Sequence, residues 1–386
     1  MLEEKQENVR AIDLANFMSF SKASVSVALK KLKSYGKKIL IITLFQSLLA
    51  TICVDAVVIV ICLILKVNIA VAIVLGAIAT ATAPAATIMV IQQYKAKGEL
   101  VDILLPVVAF DDAVGLVVFS ISVSIAKLFM SNDKIDVGAV IAIPLLNIMI
   151  SLALGLVLGI IMHFLIKFFK SRNNHAITII AFTLLGVGAC NMLSSISILG
   201  EKLEISNLLC CMMIGAVYVN YSKPEDQAII NRDIDFMDHW TSFLFMLFFV
   251  LSGANLSLKL DDVVTNNSIT SLIPIFIIFL GYIIMRSFGK CFGAYLGCKI
   301  TKQSENVTKY LGATLLPQAG VAIGMANQIS ANKTIDASVG NTIVIVVLIA
   351  TLVYELFGPL ITKWALTKAG DIEKTEDIEK VEKSGT

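Results

Sequence analysis

The segment from Leu100 to Met130 is an apolar run long enough to cross a membrane, and it carries two adjacent aspartates near its middle. About 20 apolar residues in a helix span the hydrocarbon core of a bilayer. A charged side chain at the centre of such a helix costs about 2.5 to 3.5 kcal/mol on insertion scales. We therefore expect Asp111 and Asp112 to form part of an ion or proton site.

The composition is typical of a polytopic membrane protein. The 386 residues are 57% hydrophobic and 16% charged, whereas soluble proteins carry about 25% charged residues. We expect an all-α fold with a helical leader over 1–36, a transmembrane domain over 37–367 and a charged cytoplasmic tail over 368–386. Hydropathy predicts about ten spans, near 39–65, 68–91, 100–129, 137–168, 176–199, 204–220, 236–257, 269–299, 307–330 and 338–365.

The positive charges of the connectors alternate along the chain. Connectors rich in basic residues, such as the one with Lys167, Lys170 and Arg172, alternate with connectors that hold little more than one lysine, such as Lys202. The positive-inside rule places the basic set in the cytoplasm. An even number of spans then predicts a multi-pass protein of the cytoplasmic membrane with both termini inside.

Two of the predicted spans are interrupted in corresponding ways. The second span contains Thr80-Ala81-Thr82-Ala83-Pro84, and the ninth contains Leu316-Pro317-Gln318-Ala319-Gly320. Proline breaks or unwinds a helix, and irregular backbone at membrane depth requires protein or a wet cavity around it. Each interrupted span is the second of three, and the two trios are expected to have opposite orientation. Paired broken helices in inverted repeats point to the binding site of a transporter.

The adjacent aspartates are expected to have different roles, because neighbouring helix positions point about 100° apart. One can hold a transported ion while the other pairs with a fixed cation. The candidate cation is Arg286, deep in the eighth span, whereas for Lys290 we favour an orientation toward the headgroups. Glu355 is a further intramembrane acid, for which a helix-end contact and a role in transport are equally compatible with the sequence.

Neutral oxygens complete the predicted site. Thr82 and Gln318 lie at the two interruptions, and the broken helices free backbone carbonyls. Oxygen ligands suit a small monovalent cation or a proton. The sequence shows no thiolate or imidazole cluster for a transition metal, so we expect no resident metal or cofactor and treat the transported cation and H⁺ as substrates.

A shared carboxylate suggests a mechanism. Burial in a low-dielectric cavity disfavours the charged form, so a proton or a cation can neutralise the group, but not both at once. With alternating exposure of the site, this competition couples the two ions in opposite directions.

At these residues the chain resembles the monovalent cation/proton antiporter superfamily, which includes sodium/proton exchangers and Kef-type transporters. The resembling segments include TATAPAATIMVI, VAFDDAVGLVVF, MRSFGKCFGAYLG and LLPQAGVAIGMA, within about residues 37 to 370. The resemblance implies that Asp112 binds the ion, that Asp111 pairs with Arg286 and that the protein is a homodimer in a lipid bilayer. Many electrogenic members carry lysine where Arg286 is aligned, which leaves the stoichiometry open.

Family members usually begin with further spans, and residues 7–36 stand in their place. This segment resembles the helix-turn-helix of iron- or manganese-dependent repressors of the DtxR type, with Ser21 before a helix that carries Lys30, Lys31 and Lys33. A cytoplasmic amphipathic leader is the alternative interpretation of the same residues.

Three hypotheses follow. The first is a secondary antiporter that exchanges Na⁺ or K⁺ for H⁺, and the second is a membrane-tethered regulator whose leader binds DNA. The third is a truncated antiporter that no longer transports. An enzyme is not indicated, because the sequence has no nucleophile–base set and no phosphate-binding loop.

Overall fold

The computed structural model describes residues 24–130, 137–169, 171–194, 197–198, 201–202, 205–221, 272–332 and 335–372, with short stretches between 229 and 254. These residues confirm the all-α class. Their main helices are α1 Ser24–Leu65, α2 Ala70–Ile78, α3 Pro84–Gln93, α4 Glu99–Met130, α5 Val137–Ile166, α6 Arg172–Leu193, α7 Asn207–Asn220, α8 Leu272–Ile300, α9 Glu305–Thr314, α10 Gly320–Ala331 and α11 Ala337–Ala369. Strands β1 Ser197–Ile198 and β2 Glu201–Lys202 form one short antiparallel pair between α6 and α7.

Within the described ranges, six helices are long and apolar enough to cross a membrane: α1 from Gly36, α4, α5 from Pro144, α6, α8 and α11. Helices α2 with α3, and α9 with α10, are the halves of the two predicted broken spans. Helix α7 is apolar but shorter, and the predicted span at 236–257 lies largely outside the described residues. The count of about ten spans stays a prediction.

Both predicted interruptions are present, and they meet each other. Helix α2 ends at Ile78 and α3 begins at Pro84, where proline at the first helical position needs no hydrogen-bonded N–H. The backbone N–H of Ala83 donates to the carbonyl of Pro317 at 2.8 Å. The hydroxyl of Thr87 donates to the carbonyl of Thr314 at 3.3 Å. Four half-helix ends therefore converge on one region.

Helices α1 and α8 pack closely and run antiparallel, because glycines on α8 face the backbone of α1 in reverse order. A Cβ built on Gly297 would lie 2.8 Å from Ile42 Cα, and one built on Gly289 would lie 2.6 Å from Ala50 Cα. These helices are the first members of the two trios. Their antiparallel packing agrees with the predicted inverted repeat.

The two ends of the chain are only partly described. Helix α1 runs without a break from Ser24 through Gly36 into the membrane-spanning part. Within the segment 7–36 that resembles a helix-turn-helix, residues 7–23 lie outside the described residues. The resemblance and the domain division at 36 stay predictions. At the other end, the carboxylate of Asp371 accepts a hydrogen bond from the N–H of Val101 at 2.9 Å, which links the end of α11 to the first turn of α4.

Several hydrophobic clusters hold the helices together, and two of them divide most of the long helices between them. One joins buried residues of α1, α2, α4, α8, α10 and α11, and the other joins α5, α6 and α7 with residues near 230–237. The first cluster contains Ile78 at the end of α2 and Val321 at the start of α10, while Ala83, Ala86 and Ala319 form a small cluster of their own between the half-helices. This part of the fold therefore positions the candidate site.

Candidate ion-binding site

Asp111 is fully buried and accepts hydrogen bonds on both carboxylate oxygens. Its Oδ1 accepts from the amide of Gln46 and from the hydroxyl of Ser47, the latter at 2.5 Å. Its Oδ2 accepts from the hydroxyl of Thr82 and from the ammonium of Lys290, the latter at 2.7 Å. The carboxylate therefore joins α1, the first interrupted span and α8.

Lys290 is the ion-pair partner of Asp111, so the preference for a headgroup-facing lysine was wrong. Its side chain is 0% exposed, and its ammonium also donates to the carbonyl of Thr80 at 2.5 Å and to the hydroxyl of Thr82 at 2.9 Å. An ammonium has three donors, and these three acceptors match them in number. Lysine is thus held inside the protein by a complete set of oxygens.

Arg286 does not fill the role expected for it as the partner of Asp111. Its guanidinium donates to the carbonyls of Ala79 at 3.1 Å, Ala81 at 2.6 Å and Leu316 at 2.8 Å. The guanidinium carbon lies 4.4 Å from the centre of the Tyr354 ring. These carbonyls follow the C-terminal ends of α2 and α9, where backbone acceptors are left over and the helix dipole is negative. Arg286 therefore compensates helix ends at both interruptions.

Gln318 and Tyr282 connect the two interrupted spans to α8 in the same region. The amide of Gln318 donates to the hydroxyl of Tyr282 at 2.8 Å and to the carbonyl of Ile78 at 3.1 Å. Both side chains are fully buried. Thr82 and Gln318 were predicted as neutral ligands, and the structure brings both to the region between the half-helices. Their role as ion ligands stays a prediction.

Asp112 differs from its neighbour in every contact. It is 2% exposed, and neither of its carboxylate oxygens has a hydrogen-bond partner among the described residues. A buried carboxylate without partners is costly unless a proton or a cation neutralises it. The two adjacent aspartates therefore have unlike surroundings, as the helical geometry predicts.

Glu355 lies on α11 and takes part in none of the hydrogen bonds described above. Its Oε1 is buried and is without a hydrogen-bond partner in the described part of the chain. The neighbouring Tyr354 faces Arg286. Its hydroxyl donates to the carbonyl of Ile283 at 2.9 Å, so it accepts the hydrogen bond from the hydroxyl of Ser287 at 2.9 Å. A helix-end contact and a role in transport therefore both stay predictions for Glu355.

The sequence did not indicate Gln46, Ser47 or Tyr282 as site residues. Gln46 and Ser47 are adjacent polar residues within the apolar first span, and this interruption of the apolar pattern was the available signal. Only the packing of α1 against α4 and α8 shows that they reach Asp111.

The fold is similar to that of a solved antiporter. The sodium proton antiporter MjNhaP1 from Methanocaldococcus jannaschii, solved at pH 8, has 21% sequence identity to this chain and a TM-score of 0.68, with 95% of this chain and 85% of that chain covered. A second structure of MjNhaP1, from electron microscopy, gives 19% identity and a TM-score of 0.65, with 94% and 83% covered. No curated protein sequence matches the chain.

The family comparison covers most of the chain. The transmembrane sodium/hydrogen exchanger family matches residues 22–366. This range contains both interrupted spans, the aspartate pair and both buried cations. The chain therefore belongs to the sodium/hydrogen exchanger family of the monovalent cation/proton antiporter superfamily.

Proposed function

We propose that this protein exchanges Na⁺ or K⁺ for H⁺ across the cytoplasmic membrane, with Asp112 as the carboxylate that carries the two ions in turn. The observation that carries the proposal is the contrast within the aspartate pair. Asp111 is occupied by four donors, including Lys290, while Asp112 is buried and unpaired in the described structure.

The charges support exclusive binding at Asp112. A proton or a monovalent cation cancels the single negative charge of this carboxylate, and either ion removes the attraction for the other. Each ion therefore leaves before its competitor binds. When the site opens to the two sides of the membrane in alternation, the cation and the proton move in opposite directions.

The half-helix ends give the site its second source of polarity. Helices α3 and α10 begin at Pro84 and Gly320, and helix N-termini carry partial positive charge. The opposite ends are already compensated by Arg286. This arrangement keeps the backbone satisfied without using Asp112.

The proposal is tested with the full chain reconstituted in liposomes that contain a pH-sensitive dye. When Na⁺ or K⁺ is added outside liposomes, its entry is expected to drive protons out of them. Asp112→Asn is expected to abolish this proton movement for both cations. Asp102→Asn, which removes the same charge from the first turn of α4, serves as the matched control and is expected to retain exchange. Undiminished exchange by Asp112→Asn would overturn the role of this residue.

Two further experiments test the remaining parts of the proposal. We propose that both termini are cytoplasmic, from the distribution of basic connectors, and that the protein is a homodimer, from the family resemblance. Protease access to terminal tags in oriented vesicles tests the first, and the mass of the detergent-solubilised protein tests the second. A wild-type chain that is folded but exchanges neither cation would favour the non-transporting alternative.

A further inference from the structure

Two aromatic contacts hold the last turns of α11 between the two interrupted spans. The ammonium of Lys363 lies 4.3 Å from the centre of the ring of Tyr94, the residue directly after α3. The rings of Trp364 and of Tyr310 on α9 meet edge to face, with their centres 5.7 Å apart. Both Lys363 and Trp364 are exposed. The end of α11 therefore presents a lysine and a tryptophan at its surface, each in contact with a tyrosine of a different interrupted span.

An exposed apolar stripe on α11 leads to this pair. Leu352, Leu356, Leu360 and Trp364 are each more than half exposed, and they recur every four residues along one face of the helix. The stripe is about 18 Å long at the rise of an α-helix. This length is close to the roughly 15 Å of hydrocarbon in one leaflet of a bilayer. The stripe therefore suits an acyl chain, with Trp364 at the depth where tryptophan meets the headgroups.

The charge of Lys363 is not balanced by a carboxylate in the part of the chain that the structure describes. Its ammonium faces an aromatic ring, which attracts a cation but leaves its net charge in place. By contrast, the ammonium of Lys309 on α9 is paired with Glu305 at 3.0 Å. Positive charge is thus left over at Lys363, beside the headgroup end of the apolar stripe.

The position of this charge is set by tertiary packing. Lys167 and Lys299 also lie over aromatic rings, at 5.7 and 5.8 Å from the ring centres, but these rings are three or four residues away in their own segments. Such local pairs follow from helical periodicity alone. The contact of Lys363 with Tyr94 is closer and joins two segments that are distant in sequence. The ammonium is therefore held in place by the packing of α11 against the first interrupted span.

We propose that the end of α11 binds an anionic phospholipid, with the lipid phosphate at Lys363 and an acyl chain along the stripe from Leu352 to Trp364. The apolar stripe supplies a surface for the chain, and the unbalanced ammonium supplies the preference for an anionic headgroup. A lipid bound there lies between Tyr94 and Tyr310 and so bridges the two interrupted spans. The inference concerns the lipid around the protein and does not depend on the proposed antiport.

Helix α11 connects this surface to the interior of the protein. A Cβ built on Gly358 would lie 2.9 Å from the ring of Pro317 in the second interruption. Lys363 stands five residues further along the same helix, a distance of about 7.5 Å. Because the bound lipid holds α11 against both interrupted spans, it is expected to raise the unfolding midpoint of the folded chain.

The test uses lipids with brominated acyl chains, which quench tryptophan fluorescence at short range. The chain has two tryptophans, Trp240 and Trp364, and the change Trp240→Phe leaves the fluorescence of Trp364 alone. The full chain with this change is reconstituted in phosphatidylcholine that contains brominated phosphatidylglycerol or brominated phosphatidylcholine at equal fractions. Quenching by the anionic lipid is expected to exceed quenching by the neutral one.

Substitutions of lysine in the same background locate the effect. Lys363→Gln is expected to lower the preference for phosphatidylglycerol about five-fold, which corresponds to about 1 kcal/mol for one basic side chain near an anionic surface. The matched control is Lys299→Gln, which removes another exposed lysine that lies over a tyrosine. This control is expected to keep the preference. The rise in unfolding midpoint with phosphatidylglycerol is expected to follow the same order.

Three outcomes would overturn the inference. The first is equal quenching by the two brominated lipids, and the second is an equal loss of preference in Lys363→Gln and Lys299→Gln, which would indicate attraction by the whole basic surface. The third is displacement of phosphatidylglycerol by inorganic phosphate but not by chloride at the same ionic strength, which would assign Lys363 to a free anion. If Trp240→Phe does not fold, the difference between the wild type and Trp364→Phe supplies the same signal.

Discussion

Isosteric substitutions of the two adjacent aspartates are expected to differ in their effects on stability. Asp111→Asn removes the charge that faces Lys290, whose side chain is 0% exposed. Leaving one member of a buried ion pair without its partner costs about 3 to 5 kcal/mol. Asp112→Asn removes a carboxylate without hydrogen-bond partners in the described structure, so it is expected to leave stability unchanged or to raise it.

The hydrogen bonds at Asp111 allow the charge to be removed with little other disturbance. The oxygen of the new asparagine is expected to stay toward Lys290, because an ammonium cannot accept a hydrogen bond. Its amide then faces Ser47, which can accept, and Gln46, whose Oε1 is free to turn toward it. The cost of Asp111→Asn is therefore mainly the lost charge.

Thermal unfolding followed with a thiol-reactive dye gives the measurement, because five of the seven cysteines are buried: Cys62, Cys190, Cys210, Cys211 and Cys298. A loss of about 3 to 5 kcal/mol corresponds to a midpoint lowered by roughly 5 to 10 °C. The measurement is made without added Na⁺ or K⁺ at neutral pH, so that no cation stabilises Asp112. Equal midpoints for the two variants, or a lower midpoint for Asp112→Asn, would refute the assignment of roles.

Three further changes probe the surrounding framework in the same unfolding assay. Arg286→Met leaves three backbone carbonyls without their donor and is expected to cost about 4 kcal/mol or more, with the exposed Lys299→Met as control. Gly293→Ala forces a Cβ to within 2.6 Å of backbone on α1 and is expected to cost about 1 to 3 kcal/mol, whereas Gly188→Ala has nothing within 4 Å and is expected to be harmless. Desolvation raises the pKa of Asp371, with smaller contributions from the acidic groups near it, so its neutral form is favoured in the folded chain. The stability linked to this group is therefore lost as pH rises from the usual aspartate range through the raised pKa, and the midpoint of Asp371→Asn is expected to show no such loss.

The broken helices could be predicted from sequence because their causes are local. Proline at 84 and 317 prevents continuous helical hydrogen bonding in apolar segments, and both interruptions are found where these residues stand. The unlike surroundings of Asp111 and Asp112 are local as well, because adjacent helix positions point in different directions. Neither inference required knowledge of which helices are neighbours.

The choice between Arg286 and Lys290 could not be made from the sequence. The two cations are four residues apart on one face of α8. Helical periodicity alone is therefore compatible with either one as the partner of Asp111. The register of α8 against α1 decides between them, and the contacts of Gly289, Gly293 and Gly297 with the α1 backbone set that register. Such a register depends on pairs of helices distant in sequence, which hydropathy does not describe.

The shape of each buried cation matches the arrangement of hydrogen-bond acceptors around it. A guanidinium is planar and has several donors in a fixed fork, and Arg286 directs three of them to carbonyls of two different half-helices. An ammonium is compact, and Lys290 fits between one carboxylate, one hydroxyl and one carbonyl. Arg286 thus balances helix dipoles and Lys290 balances Asp111, which leaves Asp112 as the unbalanced charge of the described site.

A single monovalent cation or a single proton restores neutrality at Asp112, whereas a divalent cation would leave an excess positive charge in a low-dielectric interior. The arrangement of the fixed charges therefore favours monovalent exchange before any ion ligand is considered.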